Sequence, residues 1–400
     1  MTNERPFRIE IPQADLDDLR ARLVNTRWPS GSPTGDWSRG VPLDYLKQLV
    51  RYWATQFDWR AQEEALNQIP QFMTEIDGQA IHYFHAPSPE PDALPLVLTH
   101  GWPSSPVEFT KLVGPLTDPR SHGGNASDAF HVVLPSLPGY GFSTPLGEAG
   151  FDLFGVARAW AKLMNRLGYD RYAAHGTDAG SGVAAMLPMV DPGRVVGLHI
   201  SGTSASTPFG PALALDGLSP ADRARAERFN AFREEGTGYL ALQTTRPQTL
   251  AYALNDSPTS QLAWIVEKFH EWTDPTAKTP EEAVDRDQLL TNASIYWFTG
   301  SGASTAHALY DGMAAWRALT AQASASDAQW QDQPAGPPTG VAVFAADTTI
   351  RSLMDPYGKI NHWTEYDRGG HFAAMEVPDL LTADIRTFFR HLRRLATTSH

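Results

Sequence analysis

Apolar residues recur three and four positions apart at Leu16, Leu19 and Leu23 after Pro12, break at Trp28-Pro29-Ser30-Gly31-Ser32-Pro33, and resume at Leu46, Leu49, Val50 and Trp53. That period predicts an N-terminal meander of helices joined by long loops. Short apolar runs then take over at Ile81–His85, Leu94–Thr99, Phe130–Leu134, Tyr172–Ala174 and Val195–Ile200, with helical patterns between them at Phe154–Leu167 and Ser181–Val190. Strand alternating with helix implies a mostly parallel sheet covered on both faces. From about Ser204 to Gly312 the strand pattern lapses into helical, Trp- and Tyr-rich sequence punctuated by proline. Strands return at Val341–Ala345 and around Trp363–Tyr366, and an amphipathic helix over Asp379–Leu392 closes the chain. The late helical block reads as a cap inserted into an α/β sheet, and Ala323–Thr339 as a surface loop leading back to the core. No internal repeat is visible.

Composition narrows the chemistry. The net charge of −13 is made of scattered rather than clustered charges, which argues against nucleic acid or an anionic membrane and for a small neutral substrate. With no cysteine in the chain, a disulfide framework and a thiolate metal site are both excluded. The start at Met1–Phe7 is polar and nowhere is there an apolar run long enough to cross a bilayer, so a soluble, cytoplasmic chain is expected.

Candidate chemistry begins at His175-Gly176-Thr177-Asp178-Ala179-Gly180. Glycines two before and two after Asp178 frame a sharp strand-to-helix turn of the kind that carries the nucleophile in α/β hydrolases. An N-cap aspartate would explain the same residues without catalysis. His371, in Arg368-Gly369-Gly370-His371-Phe372, and Asp347, after the strand run at Val341, complete the chain order nucleophile, acid, base. Asp355 and Glu365 are the alternative acids. No Gly-x-Ser-x-Gly occurs, and Ser181 lies one helical turn past the elbow, so a serine esterase is disfavoured.

An aspartate is ionised at neutral pH and displaces at a saturated carbon without a base, forming an alkyl ester that His371-activated water then hydrolyses. Epoxides and alkyl halides are the matching substrates. His100-Gly101-Trp102-Pro103 follows a strand where the fold places its oxyanion loop, so the Trp102 and Ala179 amides are candidate oxyanion donors. His82 and His85 lack a third ligand nearby, and no phosphate-binding loop is present.

With Arg5-Pro6-Phe7, Thr26-Arg27-Trp28-Pro29, Asp58-Trp59-Arg60, His100 to Pro103, Gly238-Tyr239, Gln243-Thr244-Thr245-Arg246-Pro247, Trp264 to Phe269 and Arg368 to Ala374 in view, nearly the whole chain resembles the microsomal-type epoxide hydrolases, including their soluble bacterial members. The resemblance implies an α/β-hydrolase fold with a mostly parallel eight-stranded sheet, a helical cap inserted after the sixth strand, and an N-terminal segment packed against cap and core. The expected divisions are 1–85, 86–204, 205–315 for the cap, and 316–400.

The resemblance also implies two cap tyrosines that protonate the epoxide oxygen, matched here by Tyr239 and Tyr310. Trp102, Pro103, Trp264, Trp297 and Phe298 are the expected substrate-lining residues. Two departures stand out: Ala179 occupies a position where relatives often carry Trp, and the acid segment Phe344-Ala345-Ala346-Asp347 lacks a proline. Expected partners are a small epoxide and water, with no cofactor, no metal, no nucleic acid and no membrane, and with a homodimer as an allowed assembly. A haloalkane dehalogenase would use the same aspartyl ester, but Ala179 removes a halide donor and the tyrosines would be redundant. A ligand-binding homologue without turnover is the other alternative.

Overall fold

The computed structural model describes residues 4–147, 151–204, 209–323 and 336–398. Nine strands form one sheet: Arg5–Phe7 (β1), Gln71–Ile76 (β2), Gln79–Ala86 (β3), Leu94–Thr99 (β4), Phe130–Pro135 (β5), Tyr172–Thr177 (β6), Val195–Ser201 (β7), Thr339–Val343 (β8) and His362–Glu365 (β9). Their spatial order is β1-β2-β3-β5-β4-β6-β7-β8-β9. The first three pair antiparallel, as does β3 with β5, and every pairing from β5 through β9 is parallel. The fold is that of an α/β hydrolase, with nine strands where eight were expected. β1 and β2 carry no continuous apolar run, and Pro6 is tolerated in β1 because that strand is the sheet's edge.

Alternate residues of the central strands enter opposite apolar layers. Val97 and Val133 belong to one, while Leu96, Leu98, Val132 and Leu134 belong to the other. Helices Leu153–Arg166 and Ala179–Val190 pack on each other and on the sheet, and the closing helix runs from Pro378 to Thr398. Below the elbow, β6 is tied to its neighbour by His175 Nδ1 and His199 Nδ1 at 2.9 Å, and His199 Nε2 lies 2.8 Å from Asp384.

The cap helices lie between β7 and β8, from Pro220–Ala231 through Ser301–Ala323. They therefore enter after the seventh strand rather than the sixth, because the expectation does not count β1. The last of these helices continues past 315 to Ala323, and most of the expected loop at Ala323–Thr339 lies outside the described residues. The N-terminal helices Gln13–Val24 and Leu43–Thr55 dock on the cap: Trp53 Nε1 donates to Ser294 (3.0 Å), Tyr52 to Asp287 (2.8 Å) and Tyr45 to Glu281 (3.0 Å). No helix among the described residues is long and apolar enough to cross a membrane.

Candidate active site

The carboxyl ends of β4, β6 and β8 converge beneath the cap, where open α/β sheets bind ligands. Asp178 follows β6 directly, with φ +54° and ψ −127°, a conformation that strains any residue with a Cβ. Its neighbours show why glycine is needed there. A Cβ on Gly176 would stand 2.0 Å from the Gly180 carbonyl oxygen, and one on Gly180 would stand 2.0 Å from that of Thr99. A Cβ on Gly101 would meet Asp178 Oδ1 at 2.2 Å. The turn is thus pressed against the oxyanion loop, and only hydrogen atoms fit between them.

The two carboxylate oxygens of Asp178 face different partners. Oδ1 accepts the Trp102 amide at 3.0 Å, while Oδ2 lies 3.5 Å from His371 Nε2. Burial pulls the carboxyl's pKa upward, but His371 and the Ala179 and Trp102 amides outweigh it and hold Asp178 below the ordinary carboxylate value. Burial correspondingly pulls His371 down, and the hydrogen bond and charge of Asp178, with Asp347 and Glu108, raise it above the usual histidine value. Resting enzyme thus favours a carboxylate beside an imidazolium. Ser181 turns away, its hydroxyl donating to the Asp178 carbonyl oxygen at 2.6 Å.

His371 is fixed through its backbone, its amide donating to Trp272 O at 2.8 Å, and its ring packs against Trp272 and Phe372. Asp347 is buried after β8, pushed up to about 6 by desolvation, and within electrostatic reach of His371. Its Oδ2 accepts the Phe344 amide at 2.8 Å, and no hydrogen bond joins it to the imidazole. The alternative acids are engaged elsewhere. Asp355 accepts the Lys359 and Ile360 amides, and Glu365 pairs with Arg225 at 2.7 Å.

A cavity of about 660 Å³ opens over Asp178, walled by Trp102, Ala179, Tyr140, Tyr239 and apolar side chains that include Leu137, Val183, Leu309 and Met313. Tyr239, in helix Gly238–Gln243, stacks face to face on Trp102, with ring centroids 4.8 Å apart and planes 9° apart, and Lys268 Nζ sits 4.7 Å from its ring centroid. Burial, and then the charge of Asp178, raise its phenol well above the ordinary value, so it stays a proton donor.

Residues 4–109 match the family model described as Epoxide hydrolase N terminus, and residues 95–259 match that of the alpha/beta hydrolase fold. A Stigmatella aurantiaca protein provisionally named an epoxide hydrolase is 44% identical over 97% of this chain and 85% of its own length. Epoxide hydrolase 1 of Sus scrofa is 34% identical over 96% of this chain and 88% of its own. The chain belongs to the epoxide hydrolase family. Among solved structures, the Aspergillus niger epoxide hydrolase superposes with a TM-score of 0.81 at 30% identity, covering 98% of this chain and 97% of that one. The juvenile hormone epoxide hydrolase of Bombyx mori superposes with a TM-score of 0.85 at 26% identity, covering 99% and 96%.

In this epoxide hydrolase the structure brings Asp178, His371, Tyr239, Trp102 and Ala179 together and places five other expected site residues away from the cavity wall. Tyr310 is 43% exposed and does not line the cavity, whereas Ala308, Leu309, Gly312 and Met313 of the same helix do. One residue is about 100° of helical rotation, and that step carries the tyrosine off the cavity face. Trp264, Trp297 and Phe298 are packing residues outside the cavity wall. Trp264 donates to Gln243 at 2.7 Å, Trp297 lies under Arg22, and Phe298 meets Trp59 edge to face. Pro103 follows a cis peptide bond and its carbonyl accepts Asn292 at 2.8 Å, so it shapes the oxyanion loop without lining the cavity.

Sequence reasoning misses two acids near the imidazole, buried Glu108 and half-buried Glu376, which desolvation pushes up to about 7 and about 8. It also misses Tyr140. That residue had a signal, a Pro-Gly-Tyr-Gly turn just beyond the carboxyl end of β5.

Proposed function

We propose that this epoxide hydrolase works through a covalent ester on Asp178, and the observation that carries the reading is the division of labour between the two Asp178 oxygens. Oδ2, on the His371 side, attacks an epoxide carbon from behind. The ring C–O bond breaks and its electron pair stays on the epoxide oxygen, which takes a proton from Tyr239. His371 then removes a proton from water as that water adds to the ester carbon. Oδ1 becomes the oxyanion, already held by the Trp102 amide, with the Ala179 amide also bonded to the carboxyl group. Collapse expels the diol oxygen, which takes the imidazolium proton, and the carboxyl proton left on Asp178 returns to the Tyr239 phenolate. Asp347 orients and stabilises the imidazolium, a role supported by its charge rather than by a hydrogen bond in the resting state.

Charge also times the two steps. Asp178 is the largest of the groups that raise His371, so esterification removes most of that support while burial remains. The imidazole's pKa then falls and it becomes a base when one is required. Alkylation needs only the Asp178 carboxylate, whose pKa is held low, whereas hydrolysis needs neutral His371 and slows about tenfold per pH unit below the pKa of that state. Lowering the pH from 8 to 5 is therefore expected to raise the steady-state fraction of alkylated enzyme. Acid quench during turnover followed by intact-mass analysis checks this, and a fraction that falls with pH would count against the mechanism.

The substrate is read as an apolar epoxide with a bulky, aryl-like substituent. The size of the cavity, its largely apolar wall and the direct exposure of Ala179 beside the nucleophile support this. Ala179→Trp is expected to cut kcat/KM for a bulky aryl epoxide by roughly 10–200-fold while sparing a small aliphatic one. Parallel kinetics with a styrene-type and a short-chain epoxide decide the point, and equal losses on both would sink the assignment. A cytoplasmic setting, with the epoxide and water as partners, belongs to the same proposal and is supported by the acidic, cysteine-free composition.

A further inference from the structure

Breaking the epoxide C–O bond creates an alkoxide, and the site must supply its proton. With Tyr310 on an exposed helix face, Tyr239 is the only one of the two expected tyrosines on the cavity wall. Two other tyrosines are buried within electrostatic reach of Asp178, namely Tyr140 and Tyr296. Tyr296 is already committed, its hydroxyl donating to the Ser104 carbonyl at 2.8 Å. Tyr140 lines the cavity, and its hydroxyl donates to no protein acceptor among the described residues.

Its position is well fixed. The turn that carries it needs glycines at φ +83° and +48° on either side, Gly139 and Gly141. The Tyr140 amide donates to Leu137 O at 2.9 Å and its carbonyl accepts the Ser143 amide at 2.9 Å. Burial lowers His100 to about 4, so it is neutral, and with Nδ1 3.0 Å from Gly101 O its Nε2 accepts the Leu137 amide at 3.2 Å. That imidazole thereby joins the oxyanion loop to the Tyr140 turn. The Tyr140 ring is gripped edge-on by His100 (5.3 Å) and Tyr296 (6.5 Å). The side chain is thus held between two rings on a turn tied to the oxyanion loop, and its hydroxyl is left for the cavity.

We propose that Tyr140, from the core, and Tyr239, from the cap, are the paired phenols that hold the epoxide oxygen, and that both must be protonated as Asp178 Oδ2 bonds to carbon, one delivering its proton while the other holds the oxygen. The bond balance is that of the ester mechanism, on which this inference rests: the ring C–O bond breaks, the phenolic proton moves to the oxygen, and the phenolate is later reprotonated from the Asp178 carboxyl. Burial and the Asp178 charge raise the Tyr140 phenol, keeping it protonated in the resting site.

Ester formation and ester hydrolysis are to be measured separately by rapid quench and intact mass under single turnover. Tyr140→Phe is expected to slow ester formation by about 100-fold, the scale of one general acid, with ester hydrolysis left close to the unsubstituted rate. Tyr310→Phe is expected to change neither step. Ester formation at an undiminished rate in Tyr140→Phe would overturn the assignment, as would an equal slowing of both steps, which marks a packing role. Should Tyr140→Phe fail to fold, 3,5-difluorotyrosine at position 140 keeps the shape and lowers the phenol pKa. The alkaline limb of ester formation should then move to lower pH, and an unmoved limb would refute the role. Absence of any ester in unsubstituted enzyme overturns the Asp178 reading and this proposal with it, whereas fast ester formation in Tyr140→Phe overturns this proposal alone.

Discussion

A His371→Ala enzyme is expected to consume one equivalent of epoxide and then stall. The attacking carboxylate needs no base, so alkylation survives the substitution, while water at the ester carbonyl loses the group that would take its proton. General-base removal is worth roughly 10²–10⁴-fold, enough to make the ester the resting species on the timescale of an assay. Intact mass should rise by the mass of the epoxide, and proteolysis should place the adduct on the peptide containing Asp178. Alanine also removes the imidazolium that neutralises Asp178, so alkylation itself should slow moderately. An adduct on any other residue, or no adduct where unsubstituted enzyme turns over, would contradict the assignment of His371.

Asp178→Ala is expected to show the larger defect, a loss of turnover by at least about 10⁴-fold with no adduct at all, since removal of a covalent nucleophile is of that order in well-studied hydrolases. The fold should persist, because the elbow is specified by the glycine contacts at 101, 176 and 180 rather than by the carboxylate. Alanine can be held at the same positive φ. With the carboxylate gone, His371 loses the main cause of its raised pKa, and burial should leave it neutral at pH 7. Its imidazole proton resonances, followed by NMR against pH, should report that change. Residual turnover near the unsubstituted rate would mean that another group opens the ring.

What could be read from the sequence was the part encoded locally. Asp178 sits between glycines whose missing Cβ atoms the turn requires, and His371 follows two more in a loop. Short apolar runs located the central parallel strands, because strands buried on both faces are continuously apolar. The missed strands, β1 and β2, lie at the antiparallel end of the sheet and carry no such continuous run. The tyrosine pair was harder. Tyr310 and Leu309 are adjacent in sequence, and only the phase of one helix decides which of them faces the cavity. Aromatic residues misled for a related reason. Trp264, Trp297 and Phe298 are buried or half-buried as expected of a pocket wall, but what they pack against is other protein: Gln243 of the cap, and Arg22 and Trp59 of the N-terminal segment. Sequence tells that a side chain must be covered without telling by what.

The origin of the oxygen added to the substrate tests the covalent mechanism most directly. With enzyme in excess over epoxide in H₂¹⁸O, an ester on Asp178 delivers its own carboxylate oxygen to the substrate, so the diol from the first turnover should be unlabelled and one ¹⁸O should appear in the peptide containing Asp178. Direct attack by water predicts the reverse, and a first-turnover diol carrying ¹⁸O, with an unlabelled Asp178 peptide, would contradict the account.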